Sequence, residues 1–399
     1  MSAQILKSSN RVSGFKPAAV HEMLARGREL EQQGSDVVFM VQGEPDFTTP
    51  SVINEAIFSY SEGGSTHYTP AAGLADLRGY VADYLGKKNN LPVSDSSEVI
   101  VTTGATQGLF IALMGLIDQG DEVLLIEPGF VATYSKMIKM AGGEARRIAC
   151  PFDGERFPLD IDAIKDAISD STKAIIINTP SNPTGTVYTQ AELEALADLA
   201  LSKGIIVISD EAYESLVFDD SEHISIGSLS REMFENTVSI FTFSKTYAMT
   251  GWRIGYSAAS PEIVRWMTAV QTVSARCAAA PVQKAVLDAL KGGAAESEVV
   301  MIEAYKDRRS IVIEELAKNA EIAVPKIEGT FYTFPDFSSR VDDSYKFARQ
   351  LLEEELVVST PGAYYGEHGE SHLRLSFSYE KERIVEGLQR LMKFYSRYE

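Results

Sequence analysis

From residue 98 onward, short β-branched runs alternate with stretches of helical period, and few folds accept that alternation. The runs are EVIVTT (98–103), EVLLIE (122–127), KAIIIN (173–178), GIIVIS (204–209), VSIFTF (238–243) and RIGYSA (253–258). Between several of them lie helical patterns over 107–117, 133–141, 159–168 and 190–202. Short apolar runs separated by helices imply βαβ units and a mostly parallel sheet covered on both faces. After Ala258 the pattern turns helical, over 261–273, 281–290 and 299–319. The last part mixes short strands near 321–324, 330–334 and 372–377 with helices over 344–355 and 381–395. A helix over 17–34, stopped by Gly34, and an apolar stretch at 37–41 come first in the chain. The C-terminal mix reads as a second, smaller α+β domain that the N-terminal segment joins.

The chain of 399 residues has room for two or three domains, at about 100–200 residues each. Its 37 basic against 56 acidic residues leave a net charge of −19. Nucleic acid and anionic membrane surfaces are polyanions, so neither is expected as a partner. Two cysteines, Cys150 and Cys277, are too few for a disulfide framework, and no metal-ligand spacing surrounds them. No apolar run approaches the roughly 18 residues that span a bilayer. The first residues carry no apolar signal core. The expectation is a cytoplasmic protein with no metal site. If its ligand is an anion, a few basic residues must act locally against the global field.

In an open parallel sheet, ligands bind at the carboxyl ends of the strands. After the run at 98–103 comes Gly104-Ala105-Thr106-Gln107. A small-residue turn opening a helix offers free N–H groups and a positive dipole end to a phosphate. The same turn is equally a plain tight turn with Thr106 as its cap. After 122–127 comes Pro128-Gly129-Phe130, whose ring either stacks on a planar group or packs in the core. After 173–178 comes the rigid turn Thr179-Pro180-Ser181-Asn182-Pro183-Thr184-Gly185, which fixes the Asn182 amide. After 204–209 comes Asp210, with Tyr213 three residues on. A carboxylate directly off a buried strand is costly without a cationic partner, unless it serves as a helix cap. After 238–243 comes Ser244-Lys245-Thr246-Tyr247. A lysine at the mouth of an apolar strand becomes nucleophilic if desolvation lowers its pKa, and inert if it snorkels outward. Together these strand ends supply the parts that hold a phosphorylated pyridine aldehyde as a Schiff base.

With those residues in view, the sequence resembles the class I/II aminotransferases, the aspartate-aminotransferase-like fold type I family of pyridoxal-phosphate enzymes. The resemblance runs over nearly the whole chain. It is carried by FKP (15–17), GEPDF (43–47), YTPAAGLADLR (68–78), PSNPTG (180–185), DEAY (210–213), SKTYAMTGWRIGY (244–256) and HLRLSFS (372–378). The resemblance implies pyridoxal 5'-phosphate as cofactor and Lys245 as the lysine that carries it as an internal aldimine. It implies that Asp210 pairs with the pyridinium nitrogen and that Tyr213 and Asn182 hydrogen-bond the phenolic oxygen. Phe130 would stack on the ring. Gly104, Ala105, Thr106, Thr242 and Arg253 would surround the phosphate. Tyr68 matches a tyrosine that reaches the phosphate from the neighbouring subunit, which implies a homodimer with shared sites. Arg374 matches the arginine that forks onto the substrate α-carboxylate, and Gly43 a loop glycine close to that carboxylate. The strand pattern agrees: Leu373, Leu375 and Phe377 face one way, and His372, Arg374 and Ser376 the other. The implied activity moves the α-amino group of an L-amino acid to a 2-oxo acid by a ping-pong mechanism, with Lys245 as general base.

Substrate identity is less constrained. Some relatives hold a distal carboxylate with a lysine at the place of Thr106. Arg276 and Arg11 are the alternative cations for such a group, Gly129 implies a roomier pocket, and Tyr332 is a candidate lining residue. A β-eliminating carbon–sulfur lyase on the same scaffold stays open, as does a non-catalytic amino-acid-sensing domain. The expected architecture is α/β, with a seven-stranded-type, mostly parallel sheet and a smaller α+β domain. Residues 46–295 would form the large cofactor-binding domain, and 1–45 with 296–399 the small one.

Overall fold

The computed structural model describes residues 8–15 and 19–398. Lys16 and Pro17, part of the FKP element and the expected start of the first helix, lie outside the described residues. That helix, α1, spans Ala19–Gln32.

The alternating region forms one seven-stranded sheet whose strands we number β1 (Val99–Thr102), β2 (Glu122–Glu127), β3 (Glu144–Ala149), β4 (Thr172–Asn178), β5 (Ile206–Asp210), β6 (Thr237–Thr242) and β7 (Gly255–Ala258). Their spatial order is β1-β7-β6-β5-β4-β2-β3. Strand β7 is antiparallel to both its neighbours, and every other pairing is parallel. The expected run at 253–258 therefore yields a strand only from Gly255. Arg253 precedes it on left-handed backbone, with φ 50°.

Strand β3 went unrecognised in the sequence because it carries no apolar run. Glu144, Ala145, Arg146 and Arg147 are exposed on this edge strand. The central strands are buried on both faces, and their side chains alternate between two cores. Leu124, Ile175, Ile177 and Val207 pack against α4 (Gln190–Lys203) on one side. Leu125, Ile176, Ile208 and Ile240 pack on the other, against α2 (Ala105–Leu116) and α5 (Pro261–Ser274). Between these in sequence, α3 (Val131–Ala141) follows β2. Two helices that the sequence reading passed over, Ser51–Glu62 and Ala75–Lys88, join a third core beside β1 and β7.

The remaining elements gather around smaller sheets. Val38–Phe39 pairs in parallel with Val357–Val358. Leu373–Ser376 pairs antiparallel with Thr360–Pro361 on one side and Tyr332–Thr333 on the other. Helices α6 (Ala295–Leu316), α7 (Ser344–Glu355) and α8 (Lys381–Tyr395) bury an aromatic-rich core here, including Tyr305, Phe337, Phe347 and Tyr395. Among the described residues no helix is long and apolar enough to cross a membrane.

Helix α6 is tied to the 43–47 loop by one ion pair. Arg308 donates from Nη1 and Nη2 to the two oxygens of Asp46, at 2.7 and 2.8 Å. Its guanidinium also lies 5.1 Å from the ring of Phe47. The Arg308 side chain is only 9% exposed, so removing the acid strands a poorly solvated charge. Asp46→Ala should lower unfolding stability by about 2 kcal/mol, read by urea denaturation. Arg308→Met, which removes the charge and keeps the volume, should cost less.

Candidate active site

The parallel register brings the strand ends to one edge. Asn178 pairs with Asp210, Asp210 with Ile240, and Thr242 with Gly255. Over this edge opens a cavity of about 670 Å³. Gly43, Ala105, Thr106, Phe130, Asn182, Asp210, Tyr213, Thr242, Lys245, Arg253 and Arg374 all line it, as does Tyr332.

Lys245 sits in a short helical turn, Phe243–Thr246, that begins as β6 ends. Thr242 caps that turn by accepting from the Ser244 N–H at 3.2 Å. The Lys245 amine donates to the Gly43 carbonyl at 2.5 Å and lies 5.8 Å from the ring of Tyr213. Burial lowers its pKa to about 8. Arg374 and Arg253 act in the same direction, whereas Glu44 and Asp210 oppose it.

Asp210 is 8% exposed at the end of β5. Burial raises its carboxyl pKa to about 6, against the hydroxyl of Tyr134, which donates to Oδ2 at 2.8 Å, and the N–H of Ala212. Its main-chain carbonyl accepts from Asn178 Nδ2 at 2.8 Å. Tyr134 was missed in the sequence. It lies one helical turn beyond Phe130, with which it makes an edge-to-face contact at 5.7 Å, and that i, i+4 spacing was the available signal. Ser244 and Asn178 also line the cavity unpredicted.

Tyr213 shares a hydrogen bond of 3.1 Å with Tyr332, and burial holds its hydroxyl pKa well above the ordinary value. Arg374 donates to the Val41 carbonyl at 2.5 Å and to Asn182 Oδ1 at 3.2 Å. Its guanidinium lies 4.4 Å from the centroid of Tyr332 and 5.4 Å from that of Tyr365. Its Nε is buried with no partner.

The first turn of α2 forms a second cationic corner. Gly104 has φ 89°, and a Cβ there would lie 2.7 Å from Arg253 Nη2. Glycine thus lets the guanidinium sit against the helix N-terminus, where first-turn amides and the helix dipole favour an anion. Thr242 and Ser244 line the same cavity, their hydroxyl oxygens 2.9 Å apart. An anion corner, a buried carboxylate, two neutral hydrogen-bonding groups and a low-pKa amine make a donor set that fits a phosphorylated pyridine aldehyde.

Several expected residues lie elsewhere. Tyr68 is 80% exposed, with Arg276 over its ring at 5.6 Å, and neither lines the cavity. Arg11 is exposed in a turn and does not line it either. Gly129 does not enlarge the pocket. A Cβ there would run into the Ile126 carbonyl, and its N–H donates to the Tyr365 carbonyl at 3.0 Å.

The fold, with its cavity at the strand ends, is that of an enzyme. The family model for aminotransferase class I and II matches residues 35–391. The chain is 39% identical to a probable aspartate/prephenate aminotransferase of Aquifex aeolicus, over 96% of this chain and 98% of that one. A Thermus thermophilus aspartate aminotransferase double mutant superimposes with a TM-score of 0.92 at 34% identity, covering 98% of this chain and all of the other. An aromatic aminotransferase from Pyrococcus horikoshii gives 0.85 at 36% identity, over 92% and 98% of the two chains. The chain belongs to the class I and II aminotransferases, a family of pyridoxal-phosphate-dependent transferases.

The amine makes a testable signature. Folding moves the Lys245 pKa from the ordinary 10.5 to about 8. Between those values the unfolded chain holds a proton that the folded one has released, so this group's contribution to stability rises with pH across that window. In cofactor-free protein, amine-selective labelling of Lys245, followed by peptide mass spectrometry, should titrate with a midpoint close to pH 8. Exposed lysines should follow with midpoints near 10.4.

Proposed function

We propose that this chain binds pyridoxal 5'-phosphate in the strand-end cavity and transfers the α-amino group of an L-amino acid to a 2-oxo acid, working as a homodimer. The observation that carries this reading is the meeting of three groups in one cavity: the low-pKa amine of Lys245, the buried carboxylate of Asp210 and the ring-flanked guanidinium of Arg374.

In this reading Arg253, the first-turn amides of Ala105 and Thr106, and the hydroxyls of Thr242 and Ser244 hold the phosphate. Asp210, braced by Tyr134, pairs with the ring nitrogen. Tyr213 and Asn182 bind the ring oxygen, and Phe130 lies against the ring. When bound, the cofactor supplies a carbonyl for the substrate amine and an electron sink for the bonds at Cα. Lys245 is the group that would hold the cofactor, and its neutral amine would take the substrate Cα proton as general base and return it as acid. Burial and the neighbouring Arg374 and Arg253 favour its neutral form. Arg374 receives the α-carboxylate as a planar bidentate partner, beside Gly43. A Cβ on Gly43 would lie 2.9 Å from the Tyr332 hydroxyl, so the loop lies close against the site.

Residues 46–295 act as the cofactor-binding domain, and 1–45 with 296–399 as the smaller one; three cores drawn from 46–295 alone support this, while the core of the smaller part also takes in Tyr213, Leu216, Phe218 and Ala248. Exposed Tyr68 is the side chain offered to the partner's phosphate. A cytoplasmic setting accords with two free thiols. The relatives include aspartate/prephenate and aromatic aminotransferases, so the donor panel should span acidic, aromatic and aliphatic amino acids against 2-oxoglutarate, pyruvate and oxaloacetate.

Borohydride reduction of the loaded enzyme should leave a pyridoxyl label on Lys245, and a label on another lysine, or none, sinks the proposal. Lys245→Ala should lower kcat by at least about 10³-fold. Arg374→Ala should raise the KM of the amino donor about 10–100-fold, the worth of a charge-assisted hydrogen-bond pair. Sedimentation should give twice the chain mass. A monomer that retains full activity would reject the shared site.

A further inference from the structure

One buried acid close to the site has no part in the chemistry above. Glu127 ends β2 and is 3% exposed. Its Oε2 accepts from the N–H of Glu367 at 3.2 Å, and its Oε1 lies 3.2 Å from Arg147 on the neighbouring edge strand. Gly366 packs its backbone directly on this carboxylate: a Cβ there would lie 2.6 Å from either oxygen, and the residue sits at φ 123°. Two residues further along from Glu127, the Gly129 N–H donates to the Tyr365 carbonyl at 3.0 Å. Two contacts thus tie the end of β2 and the turn before α3 to the 362–369 segment, which joins the strands Thr360–Pro361 and Leu373–Ser376.

What this segment carries is Tyr365, one of the two rings that flank Arg374. Because Arg374 Nε has no hydrogen-bond partner, the plane of the guanidinium is set by those rings and by two Nη contacts. We propose that Glu127 is a positioning residue: its carboxylate docks the 362–369 segment onto the central sheet, and through Tyr365 it holds Arg374 in the plane that receives the substrate carboxylate. The proposal rests on the reading of Arg374 as the carboxylate binder. The needed property is an acceptor at the right reach, since the ion pair with Arg147, whose side chain is 47% exposed, is worth little.

Reach and charge are separable. Glu127→Asp keeps the charge and withdraws the acceptor by a methylene, and Glu127→Gln keeps the reach and drops the charge. Measured on the cofactor-loaded enzyme, Glu127→Ala and Glu127→Asp should raise the KM of the amino donor about fivefold with kcat within about twofold, the loss expected for one buried hydrogen bond. Glu127→Gln should rescue KM to within about twofold of the parent. The dissociation constant of pyridoxal phosphate, read by fluorescence titration, should not move. If Glu127→Ala fails to fold, the Asp and Gln variants decide the matter alone. An unmoved KM, a Gln variant as impaired as the Asp variant, or a parallel fall in kcat and cofactor affinity each overturns the proposal. Arg374→Ala, run alongside, separates the two readings. No rise in KM there rejects Arg374 as the carboxylate binder, whereas a rise there with none in the Glu127 variants rejects the docking role alone.

Discussion

The site depends on the register of parallel strands. Successive side chains on a strand point to opposite faces, so a slip of one residue in β5 would send Asp210 to the wrong side of the sheet. The pairing of Asn178 with Asp210 and of Asp210 with Ile240 prevents that, and the Asn178 side chain adds a bond to the Asp210 carbonyl. Once the ends are level, the helices that follow must start at the same edge, which is why a helix N-terminus, a cap and a lysine turn meet there. The antiparallel strand β7 takes part from the other direction: its approach carries Arg253 back over Gly104.

Electrostatics inside the cavity run against the charge of the whole chain. The chain carries a net −19, yet two guanidiniums, Arg253 and Arg374, line the cavity and add to the burial that lowers the Lys245 pKa. The same burial raises the Asp210 carboxyl. Both groups are moved toward neutral pH by exclusion of water, in opposite directions, so that each is poised to change its charge. An ordinary lysine and an ordinary aspartate on the outside of this chain would do neither.

Much of this was legible in the sequence, and the reasons for the gaps are physical. Six of the seven central strands were read because burial on both faces makes them continuous apolar runs. The seventh, β3, lies at an edge and is charged. Ser51–Glu62 and Ala75–Lys88 were passed over as elements; only 68–78, which overlaps the start of the second, was read, and then for its motif. The small strands Val357–Val358 and Thr360–Pro361 are two residues each, too short to show a period. In the site, residues directly at strand ends were found, because topology alone assigns them a place. Tyr134 was not, because it reaches Asp210 across a helix turn, and the room expected at Gly129 is taken up by a tight turn against the 362–369 segment. Arg276 and Arg11 were candidates by charge alone, and neither reaches the cavity.

The composition that hid β3 also does something for the finished sheet. A bare edge strand is a template on which another chain can continue the ladder. Here the last strand presents Glu144, Arg146 and Arg147 to solvent, and the latter two are held by Glu122 and Glu127 of the adjacent strand. A second backbone laid along this margin would have to desolvate both arginines. The sheet is therefore guarded against sideways growth on that side by the hydration of its own rim.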